Sequence, residues 1–205
     1  MNNKKHVSLK DLAEELGVSV STVSRALKDS PEVGEEMRER VKKLAGEWNY
    51  RPNPFAISLL KNNPRIIGII VPDIVTHFYS SIISGISDVA RKNHYSVIIT
   101  SSYEQYELEK QCVEDLMNIR VEGIIACISQ ETTDYAHFES LIMQRVPLVF
   151  FDRVCLHGRC SCVVADNAES GKAATEHFLH HGAKRIGFIG GANHLDIVKQ
   201  RKHGY

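Results

Sequence analysis

Near the start of the chain, chemistry concentrates in the run Ser19-Val20-Ser21-Thr22-Val23-Ser24-Arg25. Its polar groups are hydroxyls and one guanidinium, a set suited to recognising a nucleic acid. A guanidinium grips guanine, a hydroxyl bonds either kind of base, and an aliphatic side chain meets the thymine methyl. Arg25, Ser21 and Val20 are the candidates for those three roles. Thr22, Ser24 and a helix start capped by Ser19 suit phosphate oxygens. Far along the chain, Asp152 follows the apolar run 147–151. Its carboxylate could accept hydrogen bonds from ligand hydroxyls, and a strand-end cap is the plainer alternative.

Cys155, Cys160 and Cys162 cluster with His157. Their C-x4-C-x-C spacing is not that of a standard zinc finger. Cys160 and Cys162 would share one face of a strand, so free thiols near a loop are expected and no metal is assigned. The sequence has no G-x-S-x-G elbow, no phosphate-binding Walker loop, no G-x-G-x-x-G and no H-E-x-x-H, which argues against an enzyme and against a cofactor.

The elements that must position these residues change character along the chain. Ser8 and Asp11 approximate a capping box, and Leu9, Leu12, Ala13 and Leu16 fall on one helical face. Gly17 stands where a helix-ending glycine belongs. Ser19 caps the next helix, whose apolar stripe is Val20, Val23, Ala26 and Leu27. Two helices three residues apart have the spacing of a helix-turn-helix, and a generic helical hairpin is the competing reading. A third helix is expected over 35–48, with Gly34 at its N-cap. Residues 51–64 are rich in Pro and Asn and read as a hinge, with a short helix over 55–61.

From Ile66 the pattern becomes alternating β and α. Strands are expected at 66–71, 96–100, 123–128, 147–151, 162–164 and 185–189. Helices are expected at 78–92, 104–118, 134–144 and 168–181. Alternation of this kind implies a parallel sheet with helices on both faces. The expected domains are therefore 1–50, an all-α helix-turn-helix head; 51–64, a hinge; and 65–205, a Rossmann-like α/β domain.

The whole chain carries 25 Lys/Arg and 25 Asp/Glu, yet the balance is uneven. Residues 1–65 hold 12 basic and 9 acidic side chains, and residues 66–205 hold 13 and 16. A basic head and an acidic body cancel, so zero net charge does not exclude a nucleic-acid partner. The first residues lack the apolar stretch of a signal peptide, and no apolar run approaches the roughly 20 residues of a membrane span. A cytoplasmic protein without a membrane partner is expected.

The opening closely resembles that of the lactose-repressor (LacI/GalR) family of bacterial transcription regulators. The resemblance rests on Asp11-Leu12-Ala13, Gly17-Val18-Ser19 and Thr22-Val23-Ser24-Arg25. Further matches are Trp48-Asn49-Tyr50, Pro52-Asn53, Ala56 and Leu59. Later matches are Ile67-Gly68, Pro72-Asp73, Phe78-Tyr79, Asp152-Arg153, Asp166-Asn167, Gly171, Gly182, Arg185-Ile186 and Gly190-Gly191.

The resemblance implies a head that reads double-stranded operator DNA, with Asn53 and Leu59 of the hinge also at the DNA. Leu59 would wedge into the minor groove, an action that kinks a duplex; a plain linker contact is the alternative. It implies a sensor like periplasmic sugar-binding proteins, with the effector at the carboxyl ends of the strands, where open α/β sheets bind ligands. His77 and Phe78 match positions that line the effector, and Arg201 matches the arginine of the family's "R..Gy" stretch. Loop packing for His77 and Phe78, and a solvated helix position for Arg201, are the alternatives. With Asp152 these groups suit a sugar or related metabolite. The resemblance further implies homodimers on pseudo-palindromic sites, more often repressing than activating. It also implies a longer sensor than the residues after Arg65 supply, so a truncated family member is expected. The reading from another class is a sugar-binding module with an incidental helical head.

Overall fold

A computed structural model describes residues 7–50 and 64–205. The expected hinge helix, and with it Asn53 and Leu59, lies outside the described residues. The chain divides into two compact units, Met1–Leu60 and Lys61–Tyr205.

In the first unit, α1 (Leu9–Leu16), α2 (Val20–Ala26) and α3 (Glu35–Glu47) follow one another. Each is too short to hold alone, and each is set by its ends. Ser8 accepts from Asp11 N–H while Asp11 accepts from Ser8 N–H, a complete capping box. Gly17 then ends α1 at φ 64°, a left-handed backbone that favours glycine. Leu12, Ala13, Val23, Ala26, Val33, Val41 and Ala45 are buried together, with Leu16, Leu44 and Trp48 packed against them. Burying each large apolar side chain contributes about 1.5–3 kcal/mol, so the helices stand by mutual packing.

The second unit is a five-stranded sheet in the order β2-β1-β3-β4-β5. The strands are β1 (Ile66–Val71), β2 (Ser96–Ser101), β3 (Gly123–Ala126), β4 (Leu148–Phe151) and β5 (Ser161–Val163), and every pairing is parallel. The helices are α4 (His77–Lys92), α5 (Tyr106–Ile119), α6 (Ala136–Met143), α7 (Asn167–His180) and α8 (Asp196–Gly204). Strand residues alternate between two cores. Ile69, Val71, Cys127 and Phe151 pack with Tyr79, Ile82, Ile83 and Ile86 of α4. Ile66, Ile70, Ile124, Ala126, Leu148 and Phe150 pack with Cys112, Val113 and Leu116 of α5 and Phe138 and Leu141 of α6. Both faces are covered, as the β-branched runs of the sequence imply.

One expected element is absent. Residues 185–189 form no strand. A strand is stabilised by a hydrogen-bonded neighbour as well as by its own propensity, and β5, the edge of the described sheet, does not pair with this segment. Ile189 is consequently 98% exposed. Cys160 also lies ahead of β5, so only Cys162 is on the strand.

Candidate functional site

On the head, the start of α2 gathers hydroxyls. Ser19 Oγ accepts from Thr22 N–H at 3.1 Å and lies 2.8 Å from both Ser21 Oγ and Thr22 Oγ1. Val23 and Ala26 turn into the core. That fixes the rotation of α2 and leaves Val20, Ser21 and Arg25 exposed, with Thr22 and Ser24 half-buried. Arg25 extends to an ion pair with Glu32 at 3.0 Å. The outward face thus carries an aliphatic group, hydroxyls and a guanidinium, the groups that base edges and phosphates take.

In the α/β unit, polar groups collect beyond the carboxyl ends of β1, β3 and β4. Asp152 follows β4 at φ 56°, a left-handed conformation that aspartate tolerates better than most residues. Its N–H donates to Val163 O at 3.1 Å, which ties β4 to the end of β5. Its carboxylate accepts a weak bond from the Cys127 thiol at 3.9 Å. Burial pushes the Asp152 carboxyl above its ordinary range, against the pull of the Arg153 and Arg201 guanidiniums. The buried Cys127 thiol is pushed up to about 12, and burial also raises the Tyr79 phenol.

The position of Arg201 follows from two glycines. A side chain on Gly171 of α7 would strike the Arg201 carbonyl, and one on Gly204 of α8 would strike the Ala168 carbonyl. Their absence lets the two helices touch, and Arg201 Nε reaches Asn167 Oδ1 at 2.9 Å. Asn167, only 3% exposed, in turn donates to Ala165 O at 3.1 Å. The positive charge of Arg201 also favours the ionised form of the Asp152 carboxyl.

His77 and Phe78 are separate from that pair. His77 is exposed at the start of α4, where its carbonyl accepts from Ser81 Oγ at 2.8 Å. Phe78 is 48% exposed and stacks edge-on with Tyr79. Tyr79, which is buried, reaches Phe151 and Cys127. Phe78 therefore joins the Asp152 region through Tyr79.

Several residues of this region escaped the sequence reading as site residues. Arg153 Nη1 donates to both Glu104 carboxylate oxygens, at 2.7 and 2.9 Å, and Glu104 Oε2 accepts from Gln130 N–H at 2.7 Å. These contacts link the loops after β2, β3 and β4. Arg153 and Asn167 stood inside the Asp-Arg and Asp-Asn pairs, so a signal existed for them. Tyr79 likewise stood inside the Phe78-Tyr79 pair, whereas Glu104 and Cys127 carried none. Among the described residues no three His, Cys, Asp or Glu side chains converge as a metal ion requires. The Cys160 thiol bonds the carbonyls of Cys155 and Leu156, and burial raises the Cys155 and Cys160 thiols.

The Asp152 geometry sets a sign. The folded unit holds the Asp152 proton more tightly than the unfolded chain does. Its contribution to stability is most favourable below the unfolded value of about 3.9 and is lost as pH rises through the raised folded value. Asp152→Asn is therefore expected to raise the thermal midpoint near neutral pH and to lose that advantage near pH 4. Melts at both pH values check it, and an unchanged neutral midpoint would mean that solvent reaches the carboxylate freely.

Residues 1–53 match the family described as bacterial regulatory proteins, lacI family. Residues 65–205 match the periplasmic binding proteins and sugar binding domain of LacI family. The chain belongs to the LacI family of transcription regulators. It is 34% identical over 204 residues to the HTH-type transcriptional regulator MalR of Streptococcus pneumoniae, a match covering 97% of this chain and 61% of that one. It is 35% identical over 197 residues to the ribose operon repressor of Bacillus subtilis, covering 96% and 58%. The chain thus spans about three fifths of these relatives' length. Among solved structures, the lac repressor dimer bound to operator and the anti-inducer ONPF superposes with a TM-score of 0.73 at 26% identity, covering 97% and 60%. A LacI-family regulator from Silicibacter pomeroyi gives a TM-score of 0.75 at 24% identity, covering 97% and 59%, a likeness of fold. Among the described residues no helix is long and apolar enough to cross a membrane.

Proposed function

We propose that this chain is a sequence-specific DNA-binding regulator of transcription, a repressor, that reads double-stranded operator DNA through α2. The observation that carries the reading is the exposed face of α2. Val20, Ser21 and Arg25 stand outward from a helix whose other side is locked into the head's core. Two copies would bind a pseudo-palindrome, since a two-fold protein pairs with a two-fold site. The hinge residues Asn53 and Leu59 belong to the same DNA surface in this reading.

The sensing half of the proposal places a small-molecule effector at the carboxyl ends of β1, β3 and β4. Asp152 and Arg201 would bond its hydroxyls, with His77 and Phe78 at the rim. A half-buried acceptor near a guanidinium suits a sugar, and one relative bears the name ribose operon repressor. A second reading, DNA binding without effector sensing by residues 64–205, has its own support. Phe178 and Leu179 of α7 are more than half exposed, Ile189 is almost wholly so, and residues 185–189 form no strand. That open apolar surface favours the DNA-binding half of the proposal over the sensing half.

In-vitro selection of duplexes bound by the purified chain tests the first half. Enrichment of a pseudo-palindrome is expected, and indifference to sequence would overturn it. Melting with and without pentoses and hexoses tests the second. A saturable rise in midpoint supports sensing, and no shift with any sugar favours DNA binding alone.

A further inference from the structure

Arg25 is held from two directions by the loop that follows α2. Its carbonyl accepts from Lys28 N–H at 3.1 Å and from Ser30 N–H at 3.0 Å. Its guanidinium Nη1 lies 3.0 Å from Glu32 Oε2. Glu32 itself has a fixed mount. Its N–H donates to Ser30 Oγ at 3.4 Å, and the next residue, Val33, is buried in the head's core and donates to Ser30 O at 3.2 Å. Asp29, at φ 57°, is paired with Lys42 of α3 at 2.6 Å. The carboxylate therefore sits on a turn tied to both α2 and α3, and it meets the side chain that the reading above assigns to a base.

An acidic residue on a surface meant for a polyanion needs a reason. As a plain surface charge it would only weaken binding to every duplex. The pair changes what Arg25 can do. A phosphate approaching the guanidinium meets the carboxylate and must compete with it. A guanine does not, because arginine has five donors in a planar fork, and one edge can hold a carboxylate while another serves the base. The pair is weak while water surrounds it, and it strengthens when a duplex excludes that water.

We propose that Glu32 is a positioning residue that determines specificity, orienting the Arg25 guanidinium toward a base edge and holding it off the phosphates. The inference rests on the DNA-reading role of Arg25 and adds a second side chain to it. It predicts that Glu32 lowers affinity for random DNA while sharpening the choice at one base pair.

The test uses the full chain. Selection with wild type and with Arg25→Ala identifies the base pair whose preference depends on Arg25. Binding to the four duplexes that differ at that pair is then measured for Glu32→Gln and Glu32→Ala. Discrimination there is expected to fall by about tenfold, within the range of a lost oriented base contact. Affinity for random duplex is expected to rise a few-fold. The Arg25→Ala, Glu32→Ala double variant should discriminate no worse than Arg25→Ala alone, since Glu32 acts through Arg25. If both Glu32 variants bind all four duplexes more tightly by one common factor, Glu32 is only a repelling charge and the inference is wrong. A wild-type chain that selects no sequence at all overturns the DNA-reading assignment, and the inference with it. Because Glu32 is 64% exposed, Glu32→Gln keeps shape and folding while removing charge.

Discussion

Glu109→Ala is expected to destabilise the α/β unit by about 3–5 kcal/mol, the loss expected when several buried hydrogen-bonding groups lose their shared partner at once. Glu109 lies on α5 and is fully buried. Its carboxylate accepts from Ser129 N–H at 2.5 Å and Thr132 Oγ1 at 2.8 Å, and meets His137 Nε2 at 2.9 Å. Alanine would strand those groups in a space that water does not reach, and each buried unpaired donor costs about 1–3 kcal/mol. His137 makes the penalty harder to relieve, because its Nδ1 is already buried without a partner. The carboxylate also anchors the segment 129–132, just beyond β3, where Ser129 Oγ donates to the buried Ser102 Oγ at 2.7 Å. Urea unfolding followed by far-ultraviolet circular dichroism measures the loss. Fluorescence would report on the wrong unit, since the single tryptophan, Trp48, is in the head. A loss below about 1 kcal/mol would mean that the network is solvated after all.

The same residue shows where sequence reading stops. Glu109 shares a helical face with Cys112, Val113 and Leu116, all buried, so an acidic group interrupting an apolar stripe was visible. What it bonds was not, because Ser129, Thr132 and His137 lie 20 to 28 positions away. Local signals carried well elsewhere. The Ser8–Asp11 box, the Gly17 stop and the Ser19 cap depend only on near neighbours, and all three stand at the helix ends. The parallel sheet and its two-sided burial followed from β-branched runs alternating with helices, whereas the strand order did not. Residues 185–189 carried the same apolar signal and yet form no strand, because pairing is a property of two segments. At the candidate ligand site, Asp152 was legible as the end of a strand. Its half-burial beside Cys127 required the pairing of β3 with β4, and the glycine-mediated approach that brings Arg201 to Asn167 required the contact of α7 with α8.

Arg25→Ala is expected to cost about 1–3 kcal/mol in discrimination at one base pair, or roughly 5- to 150-fold, if the guanidinium makes a bidentate base contact. The side chain is 59% exposed and carries little of the head's packing, so folding should survive the change. Two mechanisms give opposite patterns. Loss of a base contact flattens the preference at one position and leaves the dependence of affinity on salt nearly unchanged. Loss of a phosphate contact weakens operator and random DNA alike and reduces the salt slope by about one. The ion pair with Glu32 weighs toward the first pattern, since a guanidinium already facing a carboxylate is a poor partner for a second anion. Gel-shift titrations of the variant against the selected operator, its single-base variants and random duplex, each at several salt concentrations, separate the two. Equal losses on operator and random DNA with a shallower salt slope would make Arg25 a phosphate contact. Specificity would then rest on Val20 and Ser21 at the start of α2, the only other residues on that exposed face assigned to bases.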